Sequence, residues 1–163
     1  MKKTAGIATI LSVLLLTATF VYAAGQIKVE ISAQEEIVVI NKDGEKEIHH
    51  TPPASVEPGD VVLYTLSYHN DNTEPAESIV LTNKIPKHMR YIEDSATSND
   101  QLTVVFSVDN GATYDRPENL FIPTKDGGER GAMTADYTHI KWHFKTPLAP
   151  QAKGALTYKA KLD

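Results

Sequence analysis

Between Val61 and Asn70 the chain reads VVLYTLSYHN, and its side chains alternate at period two. Val62, Tyr64, Leu66 and Tyr68 fall on one face; Val61, Leu63, Thr65 and Ser67 fall on the other. Successive side chains of a strand point to opposite sides, whereas a helix repeats its apolar positions every three or four residues. This stretch is therefore a strand with at least one face in a core. Pro58-Gly59-Asp60 makes the turn that enters it, because proline presets φ and glycine bends freely. His69-Asn70-Asp71-Asn72 supplies the turn formers that close it.

The rest of the chain reads as partners for this strand. Gln26 to Ser32 alternates, predicting a first strand with one wet face. Ile37-Val38-Val39-Ile40, within Glu36 to Asn41, predicts a second strand covered on both sides. Asp43-Gly44 is a hairpin turn, and Glu45 to His50 is a polar return strand at an edge. Thr51-Pro52-Pro53 reads as a linker. Further strands are expected over Ser78 to Asn83, Leu102 to Val108 and Leu120 to Ile122. Tyr91-Ile92 is a short apolar contact, and Lys125 to Arg130 a charged, glycine-rich loop.

Near the end, Ile140, Trp142 and Phe144 alternate with His139, Lys141, His143 and Lys145. After Pro147-Leu148-Ala149-Pro150, Leu156, Tyr158, Ala160 and Leu162 alternate with Thr157, Lys159 and Lys161. The expectation is an antiparallel pair with one apolar and one basic face. No stretch past the N-terminus sustains helical periodicity. About eight short strands separated by turn signals predict an all-β, immunoglobulin-like antiparallel sandwich.

Lys2-Lys3, the largely apolar run Ile7 to Val21 and Val21-Tyr22-Ala23, with small or β-branched residues at the positions that signal peptidase reads, have the layout of a secretory signal peptide. Residues 1–23 are thus expected to be removed, leaving one β-sandwich domain over 24–163 in the periplasm, outside the cell or at its surface. The alternative is an uncleaved anchor, since Ala5 to Gly25 is uncharged and about long enough to span a bilayer. No later segment is apolar enough to cross a membrane. Removing residues 1–23 takes two of the 16 basic residues and none of the 21 acidic ones, so the net charge falls from −5 to −7. That balance argues against nucleic acid as a partner. With no cysteine, the chain forms neither a disulfide nor a lipidated cysteine. Its length suffices to bury a core without such staples.

PGDVVLYTLSYHN, then IVLTNKIPKHMRYIEDSA, then THIKWHFKTPLAPQAKGALTYKAKLD, resembles the bacterial and archaeal conserved repeat known as domain of unknown function eleven. Pro58, Gly59, Asp60, Tyr64, Asn70, Ile85, Pro86, Tyr91 and Ser95 fit its pattern, over about residues 56–163. Asn83 stands where that family usually has aspartate, and Gln151 where it usually has glycine. The resemblance implies a single copy of an immunoglobulin-like module of exported or cell-surface proteins. It implies no reaction.

The strongest candidate site is the expected basic face, His139, Lys141, His143, Lys145, Lys159 and Lys161, in an otherwise acidic chain. Such a face suits an acidic protein or an envelope polysaccharide, and its histidines make binding pH-dependent. Lysines on a solvated sheet also serve simply to discourage edge pairing. Ser107 to Tyr114 has the spacing of an Asp-box, whose physical content is a hairpin turn. His49 and His50 point to opposite faces of a strand, and His139 and His143 stand about 13 Å apart, too far for one ion. His88-Met89 is a soft ligand pair lacking a third member. No nucleophile motif or phosphate loop appears, so no catalytic residue, metal or cofactor is assigned. The function expected is that of a non-enzymatic envelope module that scaffolds or binds a partner. A small metal carrier and an envelope-glycan hydrolase are the alternatives.

Overall fold

The Val61–Asn70 alternation forms the middle of the larger of two packed antiparallel sheets. A computed structural model describes residues 27–53 and 56–163; the expected signal segment, 1–23, lies outside them. The strands are β1 (Ile27–Ile40), β2 (Lys46–Thr51), β3 (Val61–Asn70), β4 (Val80–Lys84), β5 (Met89–Tyr91), β6 (Leu102–Ser107), β7 (Phe121–Pro123), β8 (Glu129–Gly131), β9 (His139–Phe144) and β10 (Lys153–Leu162). The large sheet runs β2-β1-β3-β10-β5, the smaller β4-β9-β6, and β7-β8 is a separate hairpin. The molecule is an all-β sandwich, as the turn-punctuated alternation predicts.

The core lies between the two sheets. From the large sheet come Leu66, Leu156, Tyr158 and Ala160, and from the small one Leu81, Phe106, Ile140 and Trp142. Tyr158 and Trp142 are fully buried, their ring centroids 6.2 Å apart. Burying such side chains contributes about 1.5–3 kcal/mol each for the aliphatic and phenyl-sized ones. Tyr158 also needs partners for its hydroxyl. Asn83 Nδ2 donates to it at 2.9 Å, and it donates to the Lys84 carbonyl at 3.3 Å.

The period-two pattern at the chain end holds, but the pairing differs from the expectation. β9 lies between β4 and β6, while β10 lies between β3 and β5. The segment joining them crosses from one sheet to the other instead of turning back in the same sheet. Asn70 pins that crossover. Its buried amide nitrogen donates to the carbonyls of Leu148 (2.9 Å), Ala149 (3.1 Å) and Glu74 (3.1 Å). Its oxygen accepts from Asn72 N and Nδ2. The two apolar faces therefore meet across the core, and the two basic faces point away from each other.

The N-terminal part also departs from the expectation. The two strands expected there are one continuous 14-residue strand, β1. β3 pairs with it only as far as Glu36, opposite Val61. Beyond that point β1 pairs with β2 alone, up to the turn at Asn41–Glu45, where Gly44 takes φ 82°. Among the described residues no sheet covers the end of this arm, and the apolar run is not buried there. Val38 is 60% exposed and Ile40 65%. Two further elements are strands where none is expected: Met89–Tyr91 adds an edge to the large sheet, and Glu129–Gly131 pairs with β7.

Candidate functional site

The six residues of the expected basic face divide between the two outer surfaces. His139, Lys141 and His143 share the outer face of the small sheet, with Lys145 just beyond the end of β9. Lys159 and Lys161 lie on the outer face of the large sheet, opposite Leu63 and Val61. The correction has a simple cause. Alternation tells which side of its own strand a residue takes, not which strand lies beside it.

The small-sheet face keeps a coherent character. Lys84 stands directly across from His139, a neighbour that the strand expected to end at Asn83 does not include. It could have been found by extending the alternation from Thr82. No aspartate or glutamate occurs in β4, β9 or β6. The Lys141 ammonium sits 3.2 Å above the centre of the Tyr114 ring, so it is held by the aromatic face rather than by a carboxylate. Burial lowers its pKa. Burial also holds both imidazoles below their ordinary value, with repulsion from Lys84 adding to the effect at His139 and from Lys141 at His143. Asp109 works in the opposite direction at His139. Lys145 donates to the Asp100 carbonyl at 3.1 Å.

On the large sheet the lysines have carboxylate company. Lys159 Nζ lies 2.5 Å from Glu36 Oε2, an ion pair without hydrogen-bond alignment, and His50 stands 3.7 Å from the same oxygen. Arg90, beside Lys161, is paired with Asp163. Farther along the same sheet, Lys28, Glu30, Ser67, His69 and Lys153 line a shallow groove of about 440 Å³. Asp71 pairs with both Lys28 and His69 of that lining. Acidic and basic side chains therefore meet at this groove.

The Ser107–Tyr114 loop is a closed hairpin. Asp109 accepts from Ser107 Oγ (2.7 Å), Thr113 N (2.9 Å) and Thr113 Oγ1 (2.6 Å). These bonds, the Thr113 hydroxyl first, hold its carboxyl well below the usual range. Ser107 Oγ in turn accepts from Gly111 N at 2.8 Å. Both side chains are engaged in the hydrogen bonds of the turn. Among the described residues, no three His, Cys, Asp or Glu side chains stand where they could hold one metal ion. No described helix is long and apolar enough to cross a membrane. Comparison with family models, with curated proteins and with solved structures returned no match.

Proposed function

We propose that this chain is an exported, non-enzymatic, immunoglobulin-like module that binds a carboxylate-rich partner at the cell envelope through the outer face of its small sheet. Export rests on the basic, apolar and small-residue layout of residues 1–23. The immunoglobulin-like assignment rests on the motif order over residues 56–163 and on two antiparallel sheets enclosing one core. The binding role rests on one observation. Lys84, His139, Lys141 and His143 gather on β4 and β9, in a three-strand sheet whose strands carry no acidic residue, in a chain of net charge −5. Such a face attracts polyanions, and an acidic protein and an acidic polysaccharide offer it the same carboxylate chemistry.

The test uses polyglutamate and polygalacturonate as probes, followed by capture from envelope extract. Lys84→Glu/Lys141→Glu should weaken binding about tenfold or more at low salt, where exposed charges act farthest. Lys159→Glu/Lys161→Glu, on the opposite surface, is the control and should leave it unchanged. Equal binding by both folded variants would overturn the proposal. The polymer retained best separates a protein partner from a polysaccharide.

The pH dependence has a definite sign. Both imidazoles are held below the ordinary histidine value of about 6.5, so they are neutral at pH 7 and gain charge only in acid. Binding of the probes should therefore strengthen as pH falls below that range. Without a ligand the same change costs stability. A group whose folded pKa is lowered contributes stability above its unfolded pKa and loses it as pH falls through the folded value. Thermal melts between pH 7 and 5 should show the loss, and added polyanion should reduce it.

A further inference from the structure

We infer that the chain pairs with a second copy of itself, edge to edge along β2, on a two-fold axis through Ile48. This inference is independent of the small-sheet face. It begins with the arm that β1 and β2 form beyond Glu36. A two-stranded ribbon is marginal in water by itself. This one exposes Val38, Ile40 and Ile48, and β2 ends its sheet. An exposed apolar edge of that kind is a template for another strand.

The ladder fixes which groups are free. Asn41 N donates to Glu45 O at 2.9 Å, making these two a hydrogen-bonded pair. Hydrogen-bonded and non-hydrogen-bonded pairs alternate along an antiparallel ladder. Val39/Glu47 and Ile37/His49 are then bonded pairs, while Ile40/Lys46, Val38/Ile48 and Glu36/His50 are not. The backbone N–H and C=O groups of Lys46, Ile48 and His50 therefore point to the open edge.

Only a few two-fold registers use those groups. An axis through Glu47 sets Glu47 against the partner's Glu47, which like charges disfavour. An axis through His49 sets two imidazoles together and leaves Lys46 without a strand partner. An axis through Ile48 uses all three residues. Ile48 exchanges both backbone bonds with the partner's Ile48, and Lys46 and His50 pair reciprocally. On one face Val38, Ile48, the partner's Ile48 and the partner's Val38 form a continuous apolar row, because residues directly opposite share a face. On the other face Glu47 stands opposite the partner's His49, twice by symmetry. Within one chain these two side chains already approach to 3.3 Å, so their chemistry is complementary. The charge pattern and the free backbone groups select the same axis.

Sedimentation velocity tests this up to about 100 µM chain, a concentration that detects dissociation constants in the micromolar range. The wild type should be a dimer. Ile48→Pro removes an N–H that the β1 ladder does not use, so the hairpin should survive while the dimer dissociates about thirtyfold more readily, or worse. Ile48→Cys provides a second, geometric test in a chain without cysteine. Bonded antiparallel partners have Cα atoms about 5.5 Å apart, within disulfide reach. The variant should cross-link on mild oxidation, and Phe121→Cys, exposed on the separate β7-β8 hairpin, should not. A wild type that stays monomeric would leave the edge to a strand of another protein and overturn the inference. So would a dimer that Ile48→Pro leaves intact, or one that Ile48→Cys fails to cross-link.

Discussion

Trp142→Ala should destabilise the fold by about 3–5 kcal/mol, the range for deleting a large aromatic side chain from a core. Trp142 is fully buried and stands between the sheets. Its neighbours on both flanking strands, Leu81 and Val104, face the same interior. Its indole N–H donates to the Thr97 carbonyl at 3.0 Å. Truncation leaves a cavity that two sheets cannot close without breaking ladder bonds, and it strands that carbonyl. In a domain with a total stability of about 5–15 kcal/mol, that loss is decisive. Urea titration followed by far-UV circular dichroism measures it. Trp142→Phe helps to separate the contributions, because it keeps most of the volume while losing the N–H. A loss below about 1 kcal/mol for the alanine variant would mean that the sheets are not packed through this residue.

Asn70→Ala should cost about 2–3 kcal/mol, unusually much for removing a small polar side chain. The amide does two things at once. Its nitrogen ties the nearby Glu74 carbonyl to the distant carbonyls of Leu148 and Ala149, and its oxygen holds the Asn72 turn. Leu148 and Ala149 also accept backbone bonds from Ala76 and Ala152, so they are not left wholly bare, and this limits the loss. Asn70→Asp should be worse at neutral pH, since it sets a carboxylate against carbonyl oxygens. Those oxygens favour the protonated acid, so the folded state raises that group's pKa. Relative to the wild type, Asn70→Asp should then be least destabilised in acid, with the deficit growing as pH rises through the raised value. The difference in melting temperature from the wild type, taken at pH 4 and at pH 7, checks the sign. An aspartate variant no less stable than the alanine variant at pH 7 would show that the carbonyls do not converge on this side chain.

Asn70 also shows where sequence reasoning stops. In the sequence it is a turn former at a strand end, and nothing local says that its amide reaches residues nearly eighty positions later. The strand itself was fully legible. Val62 and Leu66 are buried, and Ser67 is exposed, as the alternation requires. The faces of β9 and β10 were legible for the same reason: Ile140, Trp142, Leu156 and Tyr158 all enter the core. Their pairing was not. Both strands alternate in the same way whether they lie side by side or in opposite sheets, and only the crossover between them distinguishes the two cases. Splitting the six-residue basic face follows directly from that ambiguity.

The arm teaches the complementary lesson. Ile37 to Ile40 is apolar on both sides in sequence, and burial on both sides was the natural expectation. Whether a cover exists depends on where β3 begins relative to β1, which is a matter of register. The sequence by itself determined the central strand, the inward residues of β3, β9 and β10 and the turns that flank them, because these depend on side-chain spacing and local backbone chemistry. Only the tertiary structure decided which strands are neighbours, which cations share a surface and which apolar residues remain uncovered, because those depend on contacts between segments far apart in the chain.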